Sequence, residues 1–206
     1  MTPSKDNEQY WVERHRDLRN RLAAVGDISS SEERNLELYA LKKRHVAALL
    51  SDLGMLDLGG RSVLDAGCGI GMLAEVFYVL GAERIAGLDA SDVAVAEAGH
   101  RCPPGRFEVG SLLDFDLGER FDLVFCIDVL YHVVDDANWR LALERLVAHV
   151  GDGGSLILLD QHRDDRFSPA SHVQFRTLEM YESALAELDM APRTPPGHET
   201  FMVFGG

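Results

Sequence analysis

Val63-Leu64-Asp65-Ala66-Gly67-Cys68-Gly69-Ile70-Gly71 opens as an apolar strand, turns through three glycines and leads into a helical pattern from about Met72. A strand that breaks into a glycine-rich turn and then a helix is the first half of a βα unit. Glycine permits unusual φ values and removes Cβ atoms, so a ligand can approach the backbone and the helix N-terminus. Glycines alone are weak evidence, because turns and βα packing also use them for structural reasons. Two details sharpen the reading. The spacing is G-x-G-x-G rather than the dinucleotide pattern G-x-G-x-x-G. Asp65 also stands at the carboxyl end of the strand, where a diphosphate would be repelled and a ligand carrying an ammonium and a sulfonium would be attracted.

Downstream of this stretch, short apolar runs alternate with helical patterns, which marks βα units and a parallel sheet buried on both faces. The patterning predicts strands over 62–66, 84–89, 106–109, 121–127 and 154–160, with a last strand within 199–204. It predicts helices over 71–80, 91–100, 138–150 and 177–188, and the Pro192–Gly197 tail breaks any regular element. The expected fold is therefore α/β, doubly wound and mostly parallel, with its ligand beyond the carboxyl ends of the strands. Before residue 60 the pattern is helical throughout. Trp11, Leu18, Leu22 and Val25 form one stripe; Leu36, Tyr39, Lys43, Val46 and Leu50 form another, preceded by a capping box of Ser30 with Glu33. The chain of 206 residues thus divides into a helical N-terminal cap or lid over 1–59 and a ligand-binding domain over 60–206.

The second strand, Arg84-Ile85-Ala86-Gly87-Leu88-Asp89, also ends in an acid. A carboxylate there can accept hydrogen bonds from both hydroxyls of a ribose. The plainer alternative is a helix-terminal acid beside the cap residue Ser91.

Charge narrows the partners. Lys and Arg number 20 against 34 Asp and Glu, a net −14 that repels phosphate backbones and anionic membrane surfaces. The sequence shows no basic leader followed by an apolar segment, and no apolar run near the roughly 18 residues of a membrane span, so a cytoplasmic protein is expected. Cys68, Cys102 and Cys126 are odd in number and lack C-x-x-C spacing, which favours reduced thiols over disulfides or zinc, and no metal is expected.

Five pieces carry a family resemblance: Val63–Gly71, Gly87-Leu88-Asp89-Ala90-Ser91, Gly110-Ser111-Leu112, Phe121–Val133 and Gly153-Gly154-Ser155-Leu156-Ile157. Over about residues 60–160 the chain resembles the class I, Rossmann-like methyltransferases, in particular their small-molecule branch. The resemblance implies a seven-stranded-type sheet, S-adenosylmethionine as cofactor with S-adenosylhomocysteine as product, and methyl transfer to an O or N atom of a metabolite or natural product. It places the methionine moiety against the loop Asp65, Gly67, Cys68, Gly69 and Gly71, the ribose at Asp89, and the adenine at Ser111 and Leu112. Ile127 and Asp128 would flank the methionyl end. Where the family usually has an acid, this chain has Ser111, so adenine recognition would rest on backbone and apolar contacts from Ala90 and Leu112.

Methyl transfer from a sulfonium is an in-line displacement, so a protein mainly orients the reactants and excludes water. A base helps when the nucleophile is a hydroxyl or a protonated amine. His132, just past the strand 121–127, is the candidate, unless it only hydrogen-bonds the loop or the cofactor. Tyr131 beside it reads as a substrate contact or as packing. The stretch 161–176 gathers His162, Arg163, Arg166, His172 and Arg176, either as a solvated loop or as a recognition surface for a polar or anionic substrate through His162, His172 and Arg176. Tyr10, Trp11, His15 and Tyr39 either close over the cofactor or pack helix faces.

Three rivals remain. An NAD(P)-dependent oxidoreductase is disfavoured by Asp65, by the glycine spacing and by the lack of an evident Tyr-x-x-x-Lys pair. A non-catalytic S-adenosylmethionine-binding protein would keep the same cradle. Nucleic-acid methylation is opposed by the charge and by Cys126-Ile127-Asp128-Val129, which lacks a Pro-Pro-aromatic element. The oligomeric state stays open, a homodimer being one option.

Overall fold

A computed structural model describes residues 6–19, 21–160 and 164–206. The chain divides into two compact units, Glu8–Gly110 and Met1–Asn7 with Ser111–Gly206.

The first unit carries most of α1 (Asp6–Asp17), a 3-10 turn at Leu22–Ala24, α2 (Glu32–Asp52), β1 (Ser62–Ala66), α3 (Ala74–Val79), β2 (Arg84–Asp89), α4 (Asp92–Arg101) and β3 (Arg106–Val109). β1 is buried along its whole length, as expected of a strand covered on both faces. β1 and β2 pair in parallel with Asp65 opposite Gly87, and β2 and β3 pair in parallel with Asp89 opposite Val109. That register brings Asp65 and Asp89 to the carboxyl ends of adjacent strands.

The second unit carries β4 (Phe121–Ile127), a 3-10 turn at Leu130–His132, α5 (Asp136–Ala148), β5 (Val150–Leu159), β6 (Phe167–Ala170), β7 (Val173–Phe175), α6 (Leu178–Ala186), β8 (Ala191–Pro192) and β9 (Phe201–Gly205). β4 and β5 are parallel, and β9 runs antiparallel to β5 with Leu156 opposite Phe204. β6 and β7 form a separate two-stranded sheet. The strand order β3-β2-β1-β4-β5-β9-β8 is that of a seven-stranded, mostly parallel, doubly wound α/β sheet of the Rossmann-like methyltransferase type.

Several boundaries differ from the patterning. Ser31, not Ser30, caps α2, its hydroxyl accepting from the Arg34 N–H, while the Ser30 hydroxyl donates to Asp27 in the turn before the helix. α3 begins only at Ala74, since residues 71–73 continue the glycine turn. β5 starts at Val150, which pairs with Phe121 ahead of an irregularity in register. Of the stretch 161–176, the described part is not simply a solvated loop, because Phe167–Phe175 folds into the β6–β7 hairpin and residues 173–176 are buried. Ala191-Pro192 pairs antiparallel with β9, a position proline tolerates at the edge of a sheet.

Candidate active site

The glycine turn departs from β1 with Gly67, Gly69 and Gly71 all at positive φ, 81°, 52° and 76°. Four of its backbone donors are consumed within the protein. The N–H groups of Gly67 and Cys68 both donate to the Leu88 carbonyl at 2.7 and 2.9 Å, and that of Gly71 donates to the Cys68 carbonyl at 3.0 Å. The Gly69 N–H donates to Asp89 Oδ2 at 2.9 Å. A diphosphate cradle works by offering such N–H groups to the anion. These four are turned inward.

Side chains press closely on the turn. A Cβ on Gly71 would lie 2.9 Å from Ala98 Cα, so the loop sits against the backbone of α4. A Cβ on Gly69 would come within 3.0 Å of Val25, whose neighbours Leu22 and Tyr39 pack with it on Ile70, Met72 and Ala94. Gly87 leaves room for both Phe107 and Cys68 Sγ. Arg101 ties the turn to α4, donating to the Ile70 carbonyl at 3.0 Å while pairing with Glu75 and Glu97.

Asp65 is 2% exposed and its Oδ2 has no hydrogen-bond partner. Burial, reinforced by the charge of Asp89 and opposed by Lys42, pushes its carboxyl up to about 7. A buried carboxylate without a partner is costly to maintain, and sites that retain one are commonly functional. Asp89 is half-buried and accepts from Gly69 N–H on one oxygen and Ser91 N–H on the other, each at 2.9 Å. Each oxygen keeps a further lone pair for a ligand hydroxyl. Burial raises its carboxyl as well, against the opposing influence of His15 and those two N–H groups. Ser91 caps α4, so Asp89 holds the helix start and the glycine turn together. The Cys68 thiol is buried and pushed well above the ordinary thiol range by burial, then by Asp89 and Asp65, which keeps it protonated. Ala90 follows Asp89 half-buried.

In the second unit, Ser111 is buried with its hydroxyl accepting from the Leu113 N–H at 3.1 Å, and Leu112 is buried beside it. Ile127 ends β4, and Asp128 follows in the left-handed region at φ 58°, its N–H donated to the Leu159 carbonyl. A non-glycine residue there marks local strain of the kind that gathers at functional sites. His132 Nδ1 lies 3.0 Å from the His172 carbonyl, an acceptor, so Nδ1 carries the proton and Nε2 is the basic nitrogen of the neutral ring. The His132 and His172 rings stack at 5.9 Å, and Tyr131 packs on His132 at 4.2 Å and on Phe175 at 5.5 Å. His132, His172 and Tyr131 thus form one cluster.

Arg176 serves a different purpose from an open substrate contact. It is 1% exposed and donates to Asp136 Oδ1 through Nε and Nη2, and to the Val133 and Val134 carbonyls through Nη2. Its guanidinium lies 4.7 Å over the Trp139 ring. His162 lies outside the described residues. Among the described residues no cluster of His, Cys, Asp and Glu could hold a metal ion, and no helix is long and apolar enough to cross a membrane.

The strand order and the acid-ended glycine turn define the class I methyltransferase type of nucleoside-binding fold. A model of the methyltransferase-domain family matches residues 10–193, and the chain belongs to that family. It is 35% identical over 103 residues to a ubiquinone biosynthesis O-methyltransferase of Nitrobacter winogradskyi, covering 48% of this chain and 38% of that protein. It is 33% identical over 110 residues to a dTDP-4-amino-2,3,4,6-tetradeoxy-D-glucose N,N-dimethyltransferase of Saccharopolyspora spinosa, covering 52% and 43%. The chain therefore spans less than half the length of these curated relatives. Among solved structures, magnesium protoporphyrin IX methyltransferase from Synechocystis PCC 6803 with bound S-adenosylmethionine superposes with a TM-score of 0.70 at 19% identity, covering 99% of this chain and 98% of that one.

Sequence reasoning missed Arg101 and Val25 as supports of the turn, and Lys42 as the cation felt by Asp65. Only tertiary packing assembles them there. His15 was one of four aromatic residues with no basis for choosing among them.

Proposed function

We propose that the protein transfers a methyl group from S-adenosylmethionine to an oxygen or nitrogen of a small-molecule acceptor, in the cytoplasm. One observation supports this reading above all. The glycine turn spends the N–H donors of Gly67, Cys68, Gly69 and Gly71 internally and sits beside a buried carboxylate with a vacant oxygen, so the surface it presents is rich in acceptors. Such a surface suits an ammonium and a sulfonium and repels a diphosphate.

When bound, the cofactor supplies a methyl carbon already activated by positive sulfur. The roles of the chain's own residues then follow. Asp65 holds the ammonium and gives up its proton on doing so. Gly67, Cys68, Gly69 and Gly71 contribute carbonyls and the absence of side chains. Asp89 accepts from the ribose hydroxyls while keeping its two backbone bonds. Ala90, Ser111 and Leu112 flank the adenine through apolar and backbone contacts, and Ile127 and Asp128 border the methionyl end. His132 Nε2 takes the proton of the attacking group, its ring held by the His172 carbonyl; Tyr131 and His172 shape the acceptor side. Arg176 acts from behind, fixing residues 133–136. The helices before residue 53 are assigned the role of a lid.

The test is transfer of a labelled methyl group from S-adenosylmethionine to panels of phenolic, amino-sugar and carboxylate acceptors, alongside titration with S-adenosylhomocysteine. Binding with transfer to any acceptor class supports the proposal. Binding without transfer to any of them favours a cofactor-binding protein, and no binding overturns both readings.

A further inference from the structure

His15 belongs to no role assigned so far. It lies near the end of α1, is 3% exposed, and neither ring nitrogen has a hydrogen-bond partner. Burying an imidazole with both nitrogens unsatisfied costs on the order of 1–3 kcal/mol for each polar atom, so a fold tolerates it mainly where a ligand supplies the missing partners. The charged groups felt by this ring are Asp89 at the end of β2, Arg14 on its own helix and Glu97 on α4, and Asp89 is the strongest of them. The reciprocal influence of His15 is felt at Asp89. No hydrogen bond joins the two side chains among those described, so the His15 nitrogens and the remaining lone pairs of Asp89 are left for another partner. The ring also neighbours Trp11, with centroids 6.1 Å apart.

We infer that His15 is a second ribose-binding residue, engaging a ribose hydroxyl of the nucleoside from α1 while Asp89 engages the hydroxyls from β2. This rests on the proposed function, which puts a ribose at Asp89. The chemistry fits both partners. A neutral imidazole offers one donor and one acceptor, and a hydroxyl needs one of each. Burial pushes the His15 ring below the usual histidine range, which keeps it in that neutral, two-faced form. The residue also gives α1 a reason to dock, because a helix whose buried histidine is completed by the nucleoside is fastened by the nucleoside. Trp11, one turn away, reports on that fastening.

The experiment titrates S-adenosylhomocysteine and its 2′-deoxy and 3′-deoxy analogues into wild-type protein and into the His15→Phe and His15→Gln variants by calorimetry. Loss of one hydroxyl hydrogen bond is worth about tenfold in affinity. His15→Phe is expected to weaken S-adenosylhomocysteine about tenfold and to leave unchanged the affinity for the analogue lacking the hydroxyl that His15 reaches, with His15→Gln recovering part of the loss. Equal weakening of all three ligands would assign His15 to packing and overturn the inference, as would no change with any of them. If His15→Phe does not fold, the wild-type imidazole nitrogen resonances of His15, assigned by their absence from His15→Gln, decide the matter. They should shift with S-adenosylhomocysteine and not with one of the deoxy forms; identical shifts with all three ligands overturn the inference. Failure of the wild-type protein to bind S-adenosylhomocysteine would instead sink the proposed function itself.

Discussion

Replacing Asp65 by asparagine should make the ligand-free protein more stable while abolishing its affinity for the cofactor. Burial places the Asp65 carboxyl at about 7 in the folded chain, against about 3.9 for an aspartate in an unfolded one. The folded-state value is raised, so between about pH 4 and pH 7 the folded protein holds the extra proton and loses stability as pH rises. The slope in that window is about 1.4 kcal/mol per pH unit, and the penalty is fully developed above pH 7. Asparagine keeps the shape and removes the titration, so pH-independent effects of the substitution cancel when the two proteins are compared across pH. The advantage of Asp65→Asn over wild type should therefore widen by about 2–3 kcal/mol between pH 5 and pH 7.5, then level off. Urea unfolding of both proteins at half-unit intervals of pH measures this directly. In the same series, S-adenosylhomocysteine should raise the midpoint of the wild type and leave the variant unmoved. Parallel stability curves for the two proteins across this range would refute the claim that Asp65 is held at an energetic cost for the sake of a cation.

Other outcomes follow from the same geometry. Gly71→Ala adds a Cβ 2.9 Å from Ala98 Cα at a φ of 76°, and left-handed strain together with overpacking should cost about 3 kcal/mol, read from thermal unfolding. Arg176→Ala takes the partner from two carbonyls and from Asp136 Oδ1, leaves Asp136 Oδ2 on Arg166 and empties the space over Trp139; it should destabilise the protein by about 2–3 kcal/mol, with any loss of turnover tracking the folded fraction. His132→Gln should lower kcat by at least about 100-fold for a hydroxyl acceptor and leave S-adenosylhomocysteine affinity within about twofold. Affinity for S-adenosylhomocysteine in the wild type should rise with pH up to about 7 and then plateau, as Asp65 must ionise to receive the ammonium.

What the sequence revealed was what local pattern encodes. β1, β2 and β4 fall where apolar runs between turn signals put them, because strands buried on both faces leave continuous hydrophobic stretches, while β3 is a mostly exposed edge strand placed by its turn signals alone. Asp65 and Asp89 were legible for the same reason, each being the residue at which such a run stops. The cap of α2 was misplaced by one residue because Ser30 and Ser31 are equivalent in pattern, and only the fold shows that Asp27 takes the Ser30 hydroxyl. The β6–β7 hairpin escaped notice because Phe167-Ser168-Pro169-Ala170 is mostly exposed and shows no alternation of burial. Arg176 looked like a surface recognition residue because composition cannot reveal that Asp136, forty positions earlier, would receive it. The inward-turned N–H groups of the glycine turn, the argument that most strongly separates a cation from a diphosphate, depend on Leu88 and Asp89 being the next strand's end. No spacing rule carries that information.

The most direct measurement is a pair of calorimetric titrations of the purified wild-type chain at pH 8, one with S-adenosylhomocysteine and one with NADH. An acid-ended glycine turn that selects a cation should give one-to-one binding of the thioether nucleoside and no heat from the dinucleotide; binding of NADH with silence toward the nucleoside would contradict that selectivity.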